Sequence, residues 1–336
     1  MTWFGDPAEW LPFAFAALMG ISILTYVVLD GFDLGVGTLF PFASPHERDR
    51  MVASIGPFWD ANETWLVLTV GILLVAFPVA HGIILTSLYL PVALMLLALI
   101  ARGVAFEFRV KAPMKHKWAW NTAFFGGSLL TCLSQGFMLG LYIMGLQWSL
   151  ATVAFSMLTA VCLAAGFAFI GATWLIGKTE GFLQKKAVRW ARYSLVGVVA
   201  GIAAVSAATP LVSPRIFDRW FQFPEIFWLA PLPVASGLII VALWWGIGRL
   251  PASKDAYAWA PFCATTALFA LAFAGLAYSF YPYVVPGRLT IYDAAAAPES
   301  LFIILVGALF VLPVIVAYSV LVYTVFRGKA RDLSYE

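Results

Sequence analysis

The chain alternates between nine long apolar stretches and short segments that hold most of its charged, Pro and Gly residues. Inside lipid the backbone has to satisfy its hydrogen bonds within one segment, so an apolar stretch of about 20 residues predicts a membrane-spanning helix. An alternating barrel pattern is absent from the sequence. The predicted spans lie near residues 11–30, 57–79, 83–104, 120–142, 152–176, 191–211, 226–247, 259–280 and 301–325.

The composition agrees with this pattern. Of the 336 residues, 62% are hydrophobic and 11% are charged, and the mean hydropathy is +0.92. Soluble domains carry about 25% charged residues to cover their surface. We therefore predict an all-α polytopic membrane protein without a large soluble domain. The first ten residues contain no Lys or Arg, so the first apolar stretch is expected to be a retained helix rather than a secretion signal.

The basic residues predict how the helices are oriented. With nine crossings, seventeen of the 20 Lys and Arg residues fall on one side, and only Arg215, Arg219 and Arg288 fall on the other. Cytoplasmic loops retain basic residues, so the N-terminus is expected outside and the C-terminus in the cytoplasm. The net charge of +3 gives no reason to expect a nucleic-acid partner. Several tryptophans are predicted to form an interfacial belt at the cytoplasmic ends: Trp118, Trp120, Trp174, Trp190, Trp244, Trp245 and Trp259.

Six ionisable residues lie within the predicted spans or at their rims, all in the cytoplasmic half. A charged side chain at the centre of a membrane helix costs about 2.5–3.5 kcal/mol on insertion scales, so such residues usually face the protein interior and mark a functional path. Two end the first span, two begin the second and two leave the third: Asp30 and Asp33, Asp60 and Glu63, Arg102 and Glu107.

The spacing of the carboxylates predicts an acidic cluster. Asp30 and Asp33 are three residues apart, as are Asp60 and Glu63, so each pair projects from one face of a helix. The two pairs are expected to converge, and because several carboxylates in a low dielectric cannot all be ionised, one should hold a proton or share Arg102 as counter-ion. Such a cluster can take up and release protons. The alternative is that Arg102 neutralises one aspartate and the other charges reach the interface.

Glycines surround the first acidic pair, at Gly31, Gly35 and Gly37. Small residues four positions apart let a neighbouring helix approach closely. Glycine also permits a helix to break, which suits the predicted end of the first span. Next to two aspartates, this pattern favours a functional segment over generic packing.

The sequence predicts no metal or haem ligand in this chain. A haem between helices needs an axial His, Met or Cys, whereas His46 and His116 fall in predicted cytoplasmic loops and His81 falls in a short external turn. Methionines in apolar helices usually serve as packing residues. The sequence also contains no nucleotide-binding loop and no zinc-protease motif.

Three charged motifs occur in order along the first half of the chain, and further short motifs follow. Together they resemble subunit II of cytochrome bd-type quinol oxidases, over about residues 20–325, in a form most similar to the cyanide-insensitive branch. The motifs are DGFDLGVG at 30–37, PFWDANETWL at 57–66, RGVAFEFR at 102–109, GGS at 126–128, SQG at 134–136 and IYDA at 291–294.

This resemblance implies a terminal oxidase of the bacterial cytoplasmic membrane that oxidises quinol and reduces O2 to water. The haems, b-type with or without a d-type haem, would lie in a partner, subunit I. This chain would be haem-free and would support assembly and a cytoplasmic proton path. Membrane lipid, quinone and, in some complexes, a small single-span subunit would be its other neighbours. Asp33, Asp60 and Arg102 correspond to family positions for proton uptake, and Asp30, Glu63 and Glu107 match the same motifs.

The family also implies an architecture of two four-helix bundles plus one peripheral helix. On this chain, residues 1–147 would form the first bundle with the acidic cluster, and residues 148–285 the second. Residues 286–336 would form the last helix and a cytoplasmic tail.

Two other functions remain open from the residues alone. A proton-coupled secondary transporter could use the same carboxylates, but it should show an inverted repeat with broken helices in both halves. Here the acidic cluster occupies only the first three spans, which favours a subunit that docks on a partner. A purely structural scaffold is the third possibility.

Overall fold

The computed structural model of the chain describes residues 6–212, 214–252 and 255–330. Within these ranges nine helical segments are long and apolar enough to cross a membrane, which confirms the predicted all-α polytopic class and the number of spans. The seventh segment, Glu225–Ile247, joins a short helix to a long one. The long helices are α1 (Pro7–Leu39), α3 (Trp59–Ala76), α5 (Tyr89–Lys111), α6 (Lys117–Ile143), α7 (Leu150–Lys178), α8 (Gly181–Val212), α11 (Pro231–Ile247), α12 (Ala260–Phe280) and α14 (Pro298–Val325).

Shorter elements connect the long helices. A two-stranded antiparallel hairpin precedes α13 and α14, with Tyr283 opposite Thr290. Many helices begin with proline. The first N–H groups of a helix have no acceptor within the helix, so the N–H that proline lacks is not needed there. The short helices are α2 (Pro45–Ile55), α4 (Pro78–Ser87), α9 (Pro214–Phe221), α10 (Glu225–Leu229) and α13 (Ile291–Ala294), the 3-10 turns are Phe40–Phe42 and Met114–His116, and the strands are β1 (Tyr283–Val285) and β2 (Leu289–Thr290).

The first helix is longer than predicted. The span expected near 11–30 continues as α1 to Leu39, so both aspartates lie inside the helix and the glycines that follow do not break it. The reason is a close crossing with α7. A Cβ on Gly35 would lie 1.8 Å from the carbonyl oxygen of Phe167, so glycine is needed there for contact with the neighbouring helix.

The connection between the second and third spans also differs from the prediction. The helix predicted to reach residue 79 ends at Ala76, because Phe77 leaves helical geometry with φ −133° and ψ 59°. Pro78 then begins the separate helix α4, which contains His81, where the sequence predicted a short turn. The third span accordingly begins at Tyr89 instead of near residue 83.

Helix α1 lies at the centre of the packing and contacts α3, α6, α7, α12 and α14. The core between α1 and α7 is aromatic: the Phe32 ring stacks on Trp174 with centroids 3.9 Å apart. Trp174 was predicted as an interfacial belt residue, but it is only 2% exposed, because α1 and α2 pack over it and its Nε1 donates to the carbonyl of Ser54. The prediction of a belt role for Trp174 is therefore wrong.

One end of the bundle, here called the basic end, holds α2, the α5–α6 connection and the start of α8. Two ion pairs connect its elements: Lys186 Nζ lies 2.7 Å from Glu47 Oε2, and Arg109 Nη2 lies 2.7 Å from Asp49 Oδ1. Partial burial raises the pKa of Glu47, but the hydrogen bonds from Lys186 and Ser44 outweigh it and bring this pKa below its ordinary value. These contacts fix α2 across the ends of the helices.

Candidate functional site

The centre of the candidate site is a buried ion pair between α1 and α5. Arg102 Nη1 lies 3.2 Å from Asp30 Oδ1, and the two side chains are 2% and 0% exposed. Removing two charges from water costs several kcal/mol per ion, and a single ion pair often fails to repay this cost. Buried ion pairs in a membrane helix bundle are therefore weak structural elements and strong indicators of function.

Close helix packing brings the pair together. A Cβ on Gly127 of α6 would lie 2.7 Å from the carbonyl oxygen of Ala98 and 3.0 Å from the Arg102 backbone nitrogen. On the other side of the site, a Cβ on Gly31 would lie 2.8 Å from the Phe167 ring. Gly127 lets α5 approach α6 closely, and Gly31 lets α7 approach α1 closely. This close packing excludes lipid from the charges.

Asp33 lies one helical turn beyond Asp30 and is also 0% exposed. Asn62 of α3 donates from Nδ2 to Asp33 Oδ2 at 2.8 Å and to the carbonyl of Leu29 at 3.2 Å. Tyr323 of α14 donates to Asn62 Oδ1 at 2.9 Å. A single amide therefore connects the first, second and last spans at the carboxylate of Asp33.

A second polar chain reaches Asp30 from α6. Gln135 Nε2 donates to the Tyr26 hydroxyl at 2.7 Å, and this buried hydroxyl lies beside Asp30. The geometry between Tyr26 and Asp30 is not that of a hydrogen bond, because among the described residues neither Asp30 oxygen accepts one. Tyr26 is therefore a polar neighbour of Asp30 in addition to Arg102.

Several polar atoms of the site lack hydrogen-bond partners within the part of the chain described: both Asp30 oxygens, Asp33 Oδ1, and Nε and Nη1 of Arg102. An unmade hydrogen bond on a buried polar group costs about 1–3 kcal/mol. Groups of such atoms in a folded protein call for an explanation, and a catalytic or transport role is one of the usual ones.

Three of the six predicted site residues, Asp30, Asp33 and Arg102, come together as expected. Glu63 is half-buried and lies within electrostatic range of Asp30, Arg102 and Asp60. Asp60 itself is exposed on the surface of this chain, so the expectation that both acidic pairs share one buried cluster is wrong for this residue.

Glu107 is also exposed, near the basic end of α5. Five positions separate it from Arg102, which is more than one helical turn, so the two side chains leave the helix in different directions. Glu107 therefore does not join the buried pair.

Sequence reasoning missed four polar residues of the site: Tyr26, Asn62, Gln135 and Tyr323. Asn62 and Gln135 carried a usable signal, because an amide within an apolar span needs partners just as a carboxylate does. The two tyrosines carried none, since a tyrosine in a membrane helix is usually an interfacial residue.

In the described ranges no group of three or more His, Cys, Asp or Glu side chains is placed to hold a metal. His46 and His116 are exposed and His81 is half-buried, all outside the buried site. The chemistry that the site offers is proton binding and transfer by carboxylates beside a guanidinium.

Comparisons with known proteins agree along nearly the whole chain. Residues 11–326 match the family described as cytochrome bd terminal oxidase subunit II. The chain is 30% identical to cytochrome bd ubiquinol oxidase subunit 2 of Bacillus subtilis (strain 168), covering 93% of this chain and 94% of that protein. It is 27% identical to cytochrome bd-I ubiquinol oxidase subunit 2 of Escherichia coli (strain K12), covering 96% and 95%. In fold it is similar to a chain of the bd oxidase from Geobacillus thermodenitrificans, with a TM-score of 0.75, 18% identity, and 95% and 99% of the two chains covered.

Proposed function

Because the chain belongs to the cytochrome bd terminal oxidase subunit II family, we propose that it is the haem-free subunit that supplies a proton path to the oxygen-reducing site. Members of this family are subunits of a quinol-oxidising oxidoreductase in the bacterial cytoplasmic membrane, and this chain is such a subunit. The complex contains haem and a second subunit, subunit I. The proposal assigns to this chain assembly with subunit I and proton uptake for O2 reduction.

The observation that carries the proposal is the buried pair of Asp30 and Arg102 with Asp33 one turn away. The reduction of O2 to water consumes protons, and a path for them through lipid depth needs groups that can gain and lose a proton there. Carboxylates beside a guanidinium can do so, because the positive charge stabilises the ionised carboxylate while burial favours its protonated form.

The burial of the acidic residues defines the direction of the proposed path. Asp60 is exposed, Glu63 is half-buried and Asp30 is completely buried, and Glu63 lies within electrostatic range of the other two. A proton taken up at Asp60 could move inward through Glu63 to the Asp30–Arg102 pair. We propose that the exposed Glu107 collects protons at the same surface.

We propose that the basic end faces the cytoplasm, which follows from the distribution of Lys and Arg. The protons used for water formation would then come from inside the cell. If quinol releases its protons on the other side, the reaction separates charge across the membrane without a pump.

We assign the haems, b-type with or without a d-type haem, to subunit I; this is supported by the three histidines of this chain, since His46 and His116 are exposed and His81 is half-buried outside the buried site. The haem supplies the oxygen chemistry in the partner, and the residues of this chain hold and move protons toward it. Quinol as reductant, bound quinone, lipid and a small single-span subunit are expected neighbours of the complex.

The test of this function compares Asp33→Asn with Asp218→Asn in the purified complex. Both changes remove one carboxylate, but Asp33 is buried in the site whereas Asp218 is exposed on α9. We expect quinol-dependent O2 consumption per haem to fall about tenfold or more in Asp33→Asn, the scale on which a positioned proton-transfer group acts, and to stay unchanged in Asp218→Asn. If Asp33→Asn and Asp60→Asn both consume O2 at the unsubstituted rate at every pH, these residues are structural and the proton path lies in subunit I.

A further inference from the structure

Lys178, the last residue of α7, is a buried cation held by the C-terminal tail, which is defined here as residues Phe326–Ala330. The residue is 3% exposed. Its Nζ donates to the carbonyls of Phe326 and of Gly328, the latter at 3.1 Å, and its own carbonyl accepts from the Ala330 backbone nitrogen at 2.8 Å. Among the residues described, no carboxylate pairs with it.

Aromatic rings form the rest of its surroundings. The ammonium nitrogen lies 4.7 Å from the ring centroid of Phe58, 5.2 Å from Trp174 and 5.9 Å from Trp259. A cation over aromatic faces is stabilised by the electron density of the rings. Lys178 therefore donates to the tail carbonyls on one side and contacts three rings on the other. The rings of Phe58, Trp174 and Trp259 are called the aromatic wall here.

A second lysine fastens the tail to the connection between α7 and α8. Lys329 Nζ donates to the carbonyl of Thr179 at 3.1 Å and forms an ion pair with Asp255. Asp255 also accepts from Gln184 Nε2 at 2.5 Å. The tail is thus attached at two points to α7 and its neighbours.

The tail is also continuous with the helix that reaches the buried site. The Phe326 nitrogen donates to the carbonyl of Val322 at 3.0 Å, one turn back along α14, so the tail begins directly at this end of α14. Tyr323 packs on Phe58 with ring centroids 4.6 Å apart. Its hydroxyl donates to Asn62, which in turn donates to Asp33.

We propose that Lys178 is a positioning residue for the proton path. By holding the tail against the aromatic wall it keeps Tyr323 on Asn62, and the Asn62 amide then orients the Asp33 carboxylate toward the Asp30–Arg102 pair. The inference rests on the proposed function, because it assigns to Lys178 an effect on proton transfer at Asp33.

The first experiment measures whether Lys178 holds the tail. Thr179→Cys places a thiol at a buried position whose carbonyl accepts a hydrogen bond from Lys329 of the tail. The rate at which a charged maleimide labels this thiol in the purified complex reports its exposure. The complex without this added cysteine serves as the blank. We expect Lys178→Met to speed labelling about tenfold, as loss of a closed state does when labelling requires opening. The control Lys185→Met, an exposed lysine on α8, should leave the rate unchanged. We call this attachment of the tail by Lys178 the latch. Equal labelling in the two variants would refute it.

The second experiment measures whether the effect passes through Tyr323. Quinol-dependent O2 consumption per haem should fall at least about threefold in Lys178→Met and in Tyr323→Phe. The double variant should fall no further than the more impaired single variant, since residues acting as one unit are not additive. A double variant whose loss is the product of the two single losses would show that Lys178 acts elsewhere, and the positioning role would be wrong.

If Lys178→Met fails to assemble, Lys329→Met tests the same latch with Lys178 in place. We expect faster labelling at Thr179→Cys and a partial loss of O2 consumption; unchanged values of both would overturn the inference. The result is separable from the proposed function. Normal rates in both Asp33→Asn and Asp60→Asn contradict the proton path, whereas unchanged labelling contradicts only the attachment of the tail by Lys178.

Discussion

Gly35 of α1 and Gly171 of α7 face each other so closely that neither position has room for a side chain. A Cβ on Gly171 would lie 2.4 Å from the carbonyl carbon of Gly35, and a Cβ on Gly35 would lie 2.9 Å from the Gly171 nitrogen. The atoms that obstruct are backbone, which cannot rotate away. This contact fixes the separation of α1 and α7 two residues beyond Asp33 and five beyond Asp30.

Gly35→Ala should therefore weaken the subunit. Forcing a methyl group into a packed core costs about 1–3 kcal/mol, and more where backbone must move. We expect a lower yield of assembled complex and a lower Tm. Gly71→Ala is the matched control, because a Cβ there meets no atom within 4 Å. Equal yield and Tm for the two variants would mean that α1 and α7 are not held at this separation.

The glycines illustrate what the sequence could and could not predict. The run from Asp30 to Gly37 indicated close packing beside two carboxylates, and this is observed. The sequence did not reveal that α1 continues to Leu39, because glycine serves equally as a helix end and as a contact with a neighbouring helix. Only the backbone of α7 decides between the two roles.

The faces of the helices were even harder to predict. In a soluble helix the apolar stripe marks the buried face, but in lipid both the core and the outer surface are apolar, so the pattern identifies a span without identifying its inner face. Asp60 was therefore expected in the buried cluster although it is exposed, and Trp174 was expected at the interface although it is buried. Arg102 was predicted correctly, because a guanidinium within a span needs a buried counter-ion.

The orientation of the helices can be checked with a reporter that is active only in the cytoplasm. Fused after Lys117 it should give a signal, and fused after Arg288 it should give none, because basic residues are retained on the cytoplasmic side. Both fusions should be present at equal levels by immunoblot. A signal after Arg288 with none after Lys117 would reverse the assigned orientation and place the basic end outside.

The assignment of the haems to subunit I can be tested by replacing His46, His81 and His116 together with alanine. None of the three lies in the buried site, and two are exposed. We expect the haem content per complex to equal that of the unsubstituted protein by pyridine haemochrome spectra. The loss of one haem while subunit I remains at normal stoichiometry would show that this chain supplies an axial ligand.

The graded burial of Asp60 and Glu63 predicts different effects on turnover. Glu63→Gln removes a half-buried proton acceptor and should lower O2 consumption per haem at all pH values. Asp60→Asn removes only a surface acceptor, so its effect should grow as the pH rises and free protons become scarce. Asp218→Asn, which removes an exposed carboxylate on α9, is the control for both. If the effect of Asp60→Asn does not depend on pH, this residue does not collect protons.

The ion pair of Asp30 and Arg102 predicts a loss of stability that a second substitution can reverse. Arg102→Met removes the counter-ion but keeps most of the side-chain volume, and breaking a buried pair from one side costs about 3–5 kcal/mol because the remaining charge is left unpaired. We expect poor assembly and a lower Tm, whereas Arg249→Met, at an exposed arginine, should change neither. Adding Asp30→Asn removes the stranded charge and should restore much of the yield and Tm, but not the O2 consumption, since the proton-binding carboxylate is now absent. A double variant that assembles no better than Arg102→Met would show that the arginine stabilises the subunit through contacts other than Asp30, and a double variant with normal turnover would remove the pair from the proton path.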